Sequence, residues 1–123
     1  MDRLDAYYTA DAFFKDPFNE VQGLAAIRRI YAHMFDALER PRFVVNSRVV
    51  DGAQCFPGRE FRFAYRSFRQ GETQLVRGGS HLLLAPDGRI LHHRDYWDAA
   101  EEVYEKLPVL GAVMRWLKRR AAA

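Results

Sequence analysis

Apolar residues recur every three or four positions between Gly23 and Leu38, at Leu24, Ile27, Ile30, Tyr31, Met34, Phe35 and Leu38. That spacing predicts an amphipathic helix with one face on a core, closed off by Pro41. Ahead of it, Asp5 to Phe13 is short, rich in alanine and aromatic residues, and reads as helical. The stretch Lys15-Asp16-Pro17-Phe18-Asn19 must leave the helix, because a residue before proline avoids the α region.

From Arg42 the period drops to two. Phe43, Val45, Ser47 and Val49 alternate with Val44, Asn46, Arg48 and Val50, and Asp51-Gly52 signals a turn. The next alternation sets Phe61, Phe63, Tyr65 and Ser67 against Glu60, Arg62, Ala64 and Arg66. A turn at Gln70-Gly71 leads into a strand from Thr73 to Leu84, Pro86-Asp87-Gly88 turns again, and Arg89 to Trp97 is the last strand. Gly78-Gly79, inside a strand, marks a bulge or bend. The hairpin-linked strands from Arg42 to Trp97 form one curved antiparallel sheet with the preceding helices on one face. This is an α+β domain, and a sheet bent over a helix leaves a cone-shaped hollow. Past Asp98, which is placed as a helix N-cap, helical patterning returns over Ala99 to Lys106 and breaks at Leu107-Pro108. It resumes as a stripe of Leu110, Val113, Met114 and Leu117 ending in Lys118-Arg119-Arg120. The chain thus divides into a main domain over residues 1–98 and a helical extension over 99–123.

Composition narrows the class. With 123 residues, 49% of them apolar and 14% aromatic, the chain fills one substantial core. Of 19 basic residues against 16 acidic, Arg115, Lys118, Arg119 and Arg120 fall within one six-residue stretch, and without them 15 face 16. The basic character belongs to the tail, so a nucleic-acid partner is not expected. For the tail, cations complementing a helix C-terminus are preferred over a lid across the pocket mouth or a weak contact with anionic membrane. No apolar run is long enough to span a bilayer and Met1-Asp2-Arg3-Leu4-Asp5 is not a signal peptide, so a cytoplasmic location is expected. A lone Cys55, and His33, His81, His92 and His93 without metal-ligand spacing, lead to an expectation of no metal and no cofactor. Neither a nucleophile elbow nor a phosphate-binding glycine loop occurs, which argues against nucleophilic catalysis and nucleotide hydrolysis.

Several of these features occur in an order that carries a resemblance. Phe14-Lys15-Asp16-Pro17-Phe18, Gly23 and Ala25-Ala26-Ile27-Arg28, then the sheet, then Asp87-Gly88-Arg89-Ile90 and Asp95-Tyr96-Trp97-Asp98, together resemble the NTF2-like superfamily over roughly Leu4 to Asp98. The branch is that of SnoaL-like polyketide cyclases and ketosteroid isomerase. The resemblance implies a cone-shaped NTF2-like (cystatin-like) α+β fold, a deep apolar pocket, and a homodimer formed through the outer sheet face. It also implies that Asp16 occupies the position of the isomerases' catalytic base. Two departures count against steroid isomerisation by the usual route. The oxyanion tyrosine of those isomerases lies on a longer first helix, ahead of this chain's first residue, and Ser80 stands where they hold a protonated aspartate.

The residues themselves suggest where chemistry would sit. If residues 14–18 are extended, Phe14, Asp16 and Phe18 point the same way and set a carboxylate among rings, which would raise its pKa toward that of a working base. The plain alternative is an Asp-Pro turn. On the last strand His93, Asp95 and Trp97 share a face, which the resemblance turns inward, with Trp97 as a flat wall and Asp95 as a second acid beside an imidazole. The alternative there is a structural polar pair. Phe61, Phe63, Tyr65 and Leu82, with Ser80 beside them, line the same hollow if the alternation holds, or are ordinary core. Placed together by the resemblance, Asp16 and Asp95 would share a proton, one serving as base and the other, assisted by His93, as acid. The resulting expectation is cofactor-free isomerase- or cyclase-type catalysis on a small, apolar, ring-containing carbonyl or hydroxyl compound. The rival is a non-catalytic ligand-binding or protein-interaction module. An epoxide hydrolase would need an Asp-Arg-Asp relay, for which Arg94 adjoins Asp95 in sequence but falls on the opposite face.

Overall fold

The aromatic segment near the start of the chain is a strand. In the computed structural model, which describes residues 3–66, 71–102 and 108–122, α1 is a single turn, Leu4–Tyr7, and β1 runs Tyr8–Lys15. This corrects the helix expected over Asp5 to Phe13. Tyr, Thr and Phe favour extended backbone, and here Tyr8, Ala12 and Phe14 enter the core while neighbours on both sides satisfy the main chain. The chain turns at Pro17 into β2, Glu20–Gln22, and then enters α2, Leu24–Ala37.

Four longer strands follow: β3 Leu38–Asp51, β4 Gln54–Tyr65, β5 Gln74–Leu84 and β6 Ile90–Tyr96. The six strands form one sheet in the order β2-β1-β6-β5-β4-β3. All neighbours are antiparallel except β1 and β6, which run parallel with Phe14 opposite His93. The sheet is therefore mixed, begins well before Arg42, and stays open, with β2 and β3 as its edges. The turns at Gly52 and Gly88 adopt left-handed backbone at the expected places. Ser67, Gln70 and residues 103–107 lie outside the described residues.

Strand β3 starts directly after α2, ahead of Pro41. The Leu38 N–H still donates to the Met34 carbonyl, but Leu38 is already extended. Pro41 sits in a slip of register between Glu39 and Arg42 on this edge strand, where a missing N–H is tolerated. Gly78 and Gly79 carry no bulge, since the β4–β5 register runs through both unbroken and the β5–β6 pairing begins in step at Gly79. They serve close packing: a Cβ on Gly78 would lie 2.5 Å from the Tyr96 carbonyl oxygen, and one on Gly79 2.5 Å from the Phe56 ring.

The buried stripe of α2 lies on the inner sheet face. One cluster joins Leu4, Tyr8, Ala12, Phe14 and Ile27; a second joins Leu38, Phe63 and Val76, with Met34, Phe61, Tyr65 and Trp97 against it. On the outer face Phe13 stacks on His92, and the Phe56 ring lies against Tyr96. After β6, Asp98 caps the short α3, Ala99–Glu102, by accepting from the Glu101 N–H at 3.1 Å. The basic helix α4 runs Pro108–Ala121, with proline at its first position.

Candidate functional site

Sheet register decides what faces α2. On β4 the inward row is Arg59, Phe61, Phe63 and Tyr65; opposite it on β5 come Gly78, Val76 and Gln74, and on β6 Asp95 pairs with Ser80 and His93 with Leu82. The side chains do not fill the space between layers. A cavity of about 310 Å³ remains, walled mainly by Phe14, Phe18, Met34, Phe61, Phe63, Tyr65, Val76 and Trp97. Asp16, Tyr31, His33, Arg59 and Asp95 also border it. The convergence of Asp16 and Asp95 on one hollow is thus present.

The deepest polar feature is a chain of hydrogen bonds behind the cavity wall. Asp95, with its side chain 14% exposed, receives three donors on Oδ1: the Arg59 guanidinium, the Ser80 hydroxyl at 2.5 Å and the His93 ring nitrogen Nε2 at 2.6 Å. Because a carboxylate only accepts, Nε2 carries the imidazole proton. In the neutral ring Nδ1 then accepts from the Tyr8 hydroxyl at 2.7 Å. The Tyr8 oxygen in turn meets the Tyr31 hydroxyl at 2.9 Å, which places the second phenol at the cavity surface. Burial pushes both phenols above their ordinary range, so they stay protonated.

Burial also raises the Asp95 carboxyl, but the hydrogen bond from His93, the charge of the Arg59 guanidinium and the hydrogen bond from the Ser80 hydroxyl together outweigh it. The net shift is downward. Asp95 is therefore an ion-paired carboxylate. This departs from the expectation that Asp95 donates as an acid, because its carboxylate is paired with Arg59, a cation that the sequence reading left out. Arg59 also lies over the Phe43 ring at 4.7 Å.

Asp16 makes the turn given as its plain alternative and also borders the cavity. It is half-buried at the cavity edge, and its Oδ1 accepts from the Phe18 and Asn19 backbone N–H groups at 2.8 and 2.7 Å, closing the turn around Pro17. The Asn19 amide approaches both carboxylate oxygens, at 3.1 and 3.2 Å. Phe18 is exposed on one side and packs edge-on against Trp97.

Of the residues expected to line the hollow, Phe14, Phe18, Phe61, Phe63, Tyr65 and Trp97 do so, with Asp16 and Asp95. His93, Ser80 and Leu82 do not. His93 is 5% exposed and lies behind Asp95 and Phe14. Ser80 is buried beneath the carboxylate it serves, and Leu82, opposite His93, is two residues further along β5, away from the cavity. Arg94 faces outward over the Tyr96 ring, so it is Arg59 that pairs with Asp95. Arg59, Tyr8 and Tyr31 were missed. For Arg59 a signal existed, since carrying the Phe61–Phe63–Tyr65 alternation back by two reaches it.

An open mixed sheet wrapped on one long helix, with an apolar hollow between them, defines an NTF2-like fold. The model of the SnoaL-like domain matches residues 1–93, and the chain belongs to that family. Comparison with curated proteins gives no match. Among solved structures, a Catenulispora acidiphila protein with a ketosteroid isomerase-like fold, bound to trimethylamine, superposes with a TM-score of 0.73 at 15% identity, covering 84% of this chain and 79% of that one. A candidate SnoaL-like polyketide cyclase from a Jannaschia species gives 0.70 at 19% identity, with coverages of 81% and 73%. An epoxide hydrolase of the LEH-like type from M. tuberculosis gives 0.69 at 19%, with coverages of 95% and 83%. At these identities the likeness is one of fold.

Proposed function

We propose that the cavity binds a small, apolar, ring-containing carbonyl compound and moves a proton on it without a cofactor. The observation that supports this most is the charged trio at an otherwise apolar wall: Asp16 on one side, and Arg59 held by Asp95 on the other. Asp16 takes a proton from the carbon next to the carbonyl, and the C–H electron pair moves to form an enolate. Arg59, with the Tyr31 hydroxyl, offers donors to the enolate oxygen. Return of the proton from Asp16 to another carbon completes an isomerisation; alternatively the enolate carbon attacks a second carbonyl of the same molecule, whose π electrons move to its oxygen, and that oxygen takes the proton back from Asp16 to complete a cyclisation. In this reading Asp95 positions Arg59, and His93, Ser80 and Tyr8 position Asp95.

A second reading, a ligand-binding module without chemistry, draws support from the engagement of both carboxylates in internal hydrogen bonds. Incubating the protein with a panel of cyclic enones and aryl ketones in deuterated water separates the two. Catalysis predicts deuterium at the carbon next to the carbonyl with the wild-type chain and none with Asp16→Asn, while ligand affinity stays within about tenfold. Binding without exchange in either protein would leave the module. The half-exposed outer face around Phe56 and Tyr96 is the surface on which a homodimer would form, and sedimentation equilibrium tests it.

A further inference from the structure

The sheet carries a second depression, of about 360 Å³, and its walls are basic. Arg40, Arg42 and Arg62 border it, together with Phe63, Ala64 and Thr73. Arg42, Arg62 and Ala64 stand on the outward row of their strands, and only Phe63 is shared with the ligand cavity. Register sets Arg42 directly opposite Arg62, an arrangement in which like charges destabilise a strand pair. Arg62 is relieved by Glu60 at 2.8 Å. Among the described residues neither Arg40 nor Arg42 has an acidic partner: Glu39 pairs with Arg66 at 3.8 Å, and Glu72, beside Thr73 in sequence, does not border the depression.

We propose that this depression binds a phosphate dianion, free or as the ester group of a small molecule. Three guanidiniums against the one Glu60 carboxylate leave two positive charges, which a phosphate monoester matches near neutral pH and a carboxylate ligand does not. The planar fork of arginine also fits the paired oxygens of a phosphate. An anion seated between Arg42 and Arg62 turns their repulsion into two attractions. The backbone at Arg40 points the same way. Arg40 and Pro41 together face one residue of β4 in a bulge between Glu39 and Arg42, the kind of irregularity that re-aims a side chain, and Arg40 holds a left-handed φ of 49°. Glycine would adopt that backbone without strain. The conformation therefore gives no reason for an arginine, whereas a third guanidinium at the border of the depression does.

Titration calorimetry of the full chain at about pH 7.5, where a phosphate monoester is mainly dianionic, tests the proposal with ionic strength held constant by chloride. The probes are inorganic phosphate, phenyl phosphate and benzoate. The wild type should bind both phosphates at one site, and benzoate about tenfold more weakly or worse. Tighter binding of phenyl phosphate supports the site as one for an ester, and tighter binding of inorganic phosphate as one for the free ion. Arg42→Gln and Arg40→Gly should each weaken phosphate binding about tenfold, whereas Arg48→Gln, at a position of β3 that borders neither hollow, leaves it unchanged. Because glycine suits the left-handed backbone, Arg40→Gly should keep a thermal midpoint close to that of the wild type without phosphate, which separates binding from folding. No binding by the wild type, benzoate bound as tightly as phosphate, or phosphate binding unmoved by both variants would overturn the proposal. So would an RNA oligonucleotide bound through the same arginines about a hundredfold more tightly, since the arginines would then serve a polymer backbone.

Discussion

Arg59 of β4 reaches past the intervening strand β5 to pair with Asp95 of β6. The β5 residue opposite Arg59 is Gly78 and the one opposite Asp95 is Ser80. The guanidinium thus crosses a position that has no side chain and ends beside a hydroxyl that donates to the same carboxylate oxygen.

Removing one member of a largely desolvated pair strands the other. Arg59→Met is expected to lower stability by about 3 kcal/mol, and the double change Arg59→Met/Asp95→Leu to recover part of that loss. Urea unfolding midpoints at pH 7 provide the measurement. A double variant no more stable than Arg59→Met would show that the carboxylate gains nothing from the arginine.

The same pair sets an acid limit. Burial works to raise the Asp95 carboxyl, but its partners hold it below the ordinary value of 3.8. A depressed folded-state value means stability that is present above pH 3.8 and is lost as pH falls through the lower folded-state value. The stability difference between wild type and Asp95→Asn should be flat above about pH 5 and shrink steadily below about pH 4. Unfolding curves from pH 2.5 upward check the sign, which would reverse if Asp95 held a proton in the folded state.

Tyr8 and Tyr31 make unequal contributions although they share a hydrogen bond. Tyr8→Phe leaves the buried His93 Nδ1 without its donor and should cost about 1–3 kcal/mol, whereas Tyr31→Phe removes a group at the cavity surface and should cost about 1 kcal/mol or less. Nitrogen NMR of the neutral imidazole should find the proton on Nε2 in the wild type and exchange between the two tautomers in Tyr8→Phe.

Adjacent glycines should respond differently to the same change. In Gly78→Ala the new methyl meets the Tyr96 carbonyl oxygen at 2.5 Å and the Trp97 Cβ at 2.9 Å, which are parts of the chain with little room to retreat. A loss of about 2–3 kcal/mol is expected. In Gly79→Ala the nearest obstacle is the partly exposed Phe56 ring, which can swing aside, and the nearest backbone atom, the Pro57 carbonyl oxygen, is further off at 3.2 Å, so the loss should be smaller. Thermal midpoints of the two variants give the comparison.

The long helix, the hairpin turns and the inward row Phe61–Phe63–Tyr65 were legible because each rests on local physics: a repeat of three and four, a left-handed turn residue, a pleat. Strand β1 was not. Over nine residues the alanines and rings of Asp5 to Phe13 fit either period, and the choice is made by β6, some eighty residues later in the chain. The polar chain behind the cavity shows the same boundary. His93 and Asp95 share a face by spacing alone, but whether Asp95 holds a proton depends on Arg59, Ser80 and Tyr8, which three other strands deliver. A site built across strands becomes readable only once register is known.

Strand β3 forms one margin of the open sheet, fourteen residues long, with Val45, Val49 and Val50 exposed. Such a margin invites a foreign strand to add on. Its pairing slips twice, between Glu39 and Arg42 and between Val45 and Ser47, and Arg40 and Pro41 fall within the first slip, Arg40 with a left-handed φ of 49°. An incoming chain would keep step for only a few residues before meeting a kink. The irregularities that bend this strand around the hollow therefore also guard the protein against stacking edge to edge into fibrils.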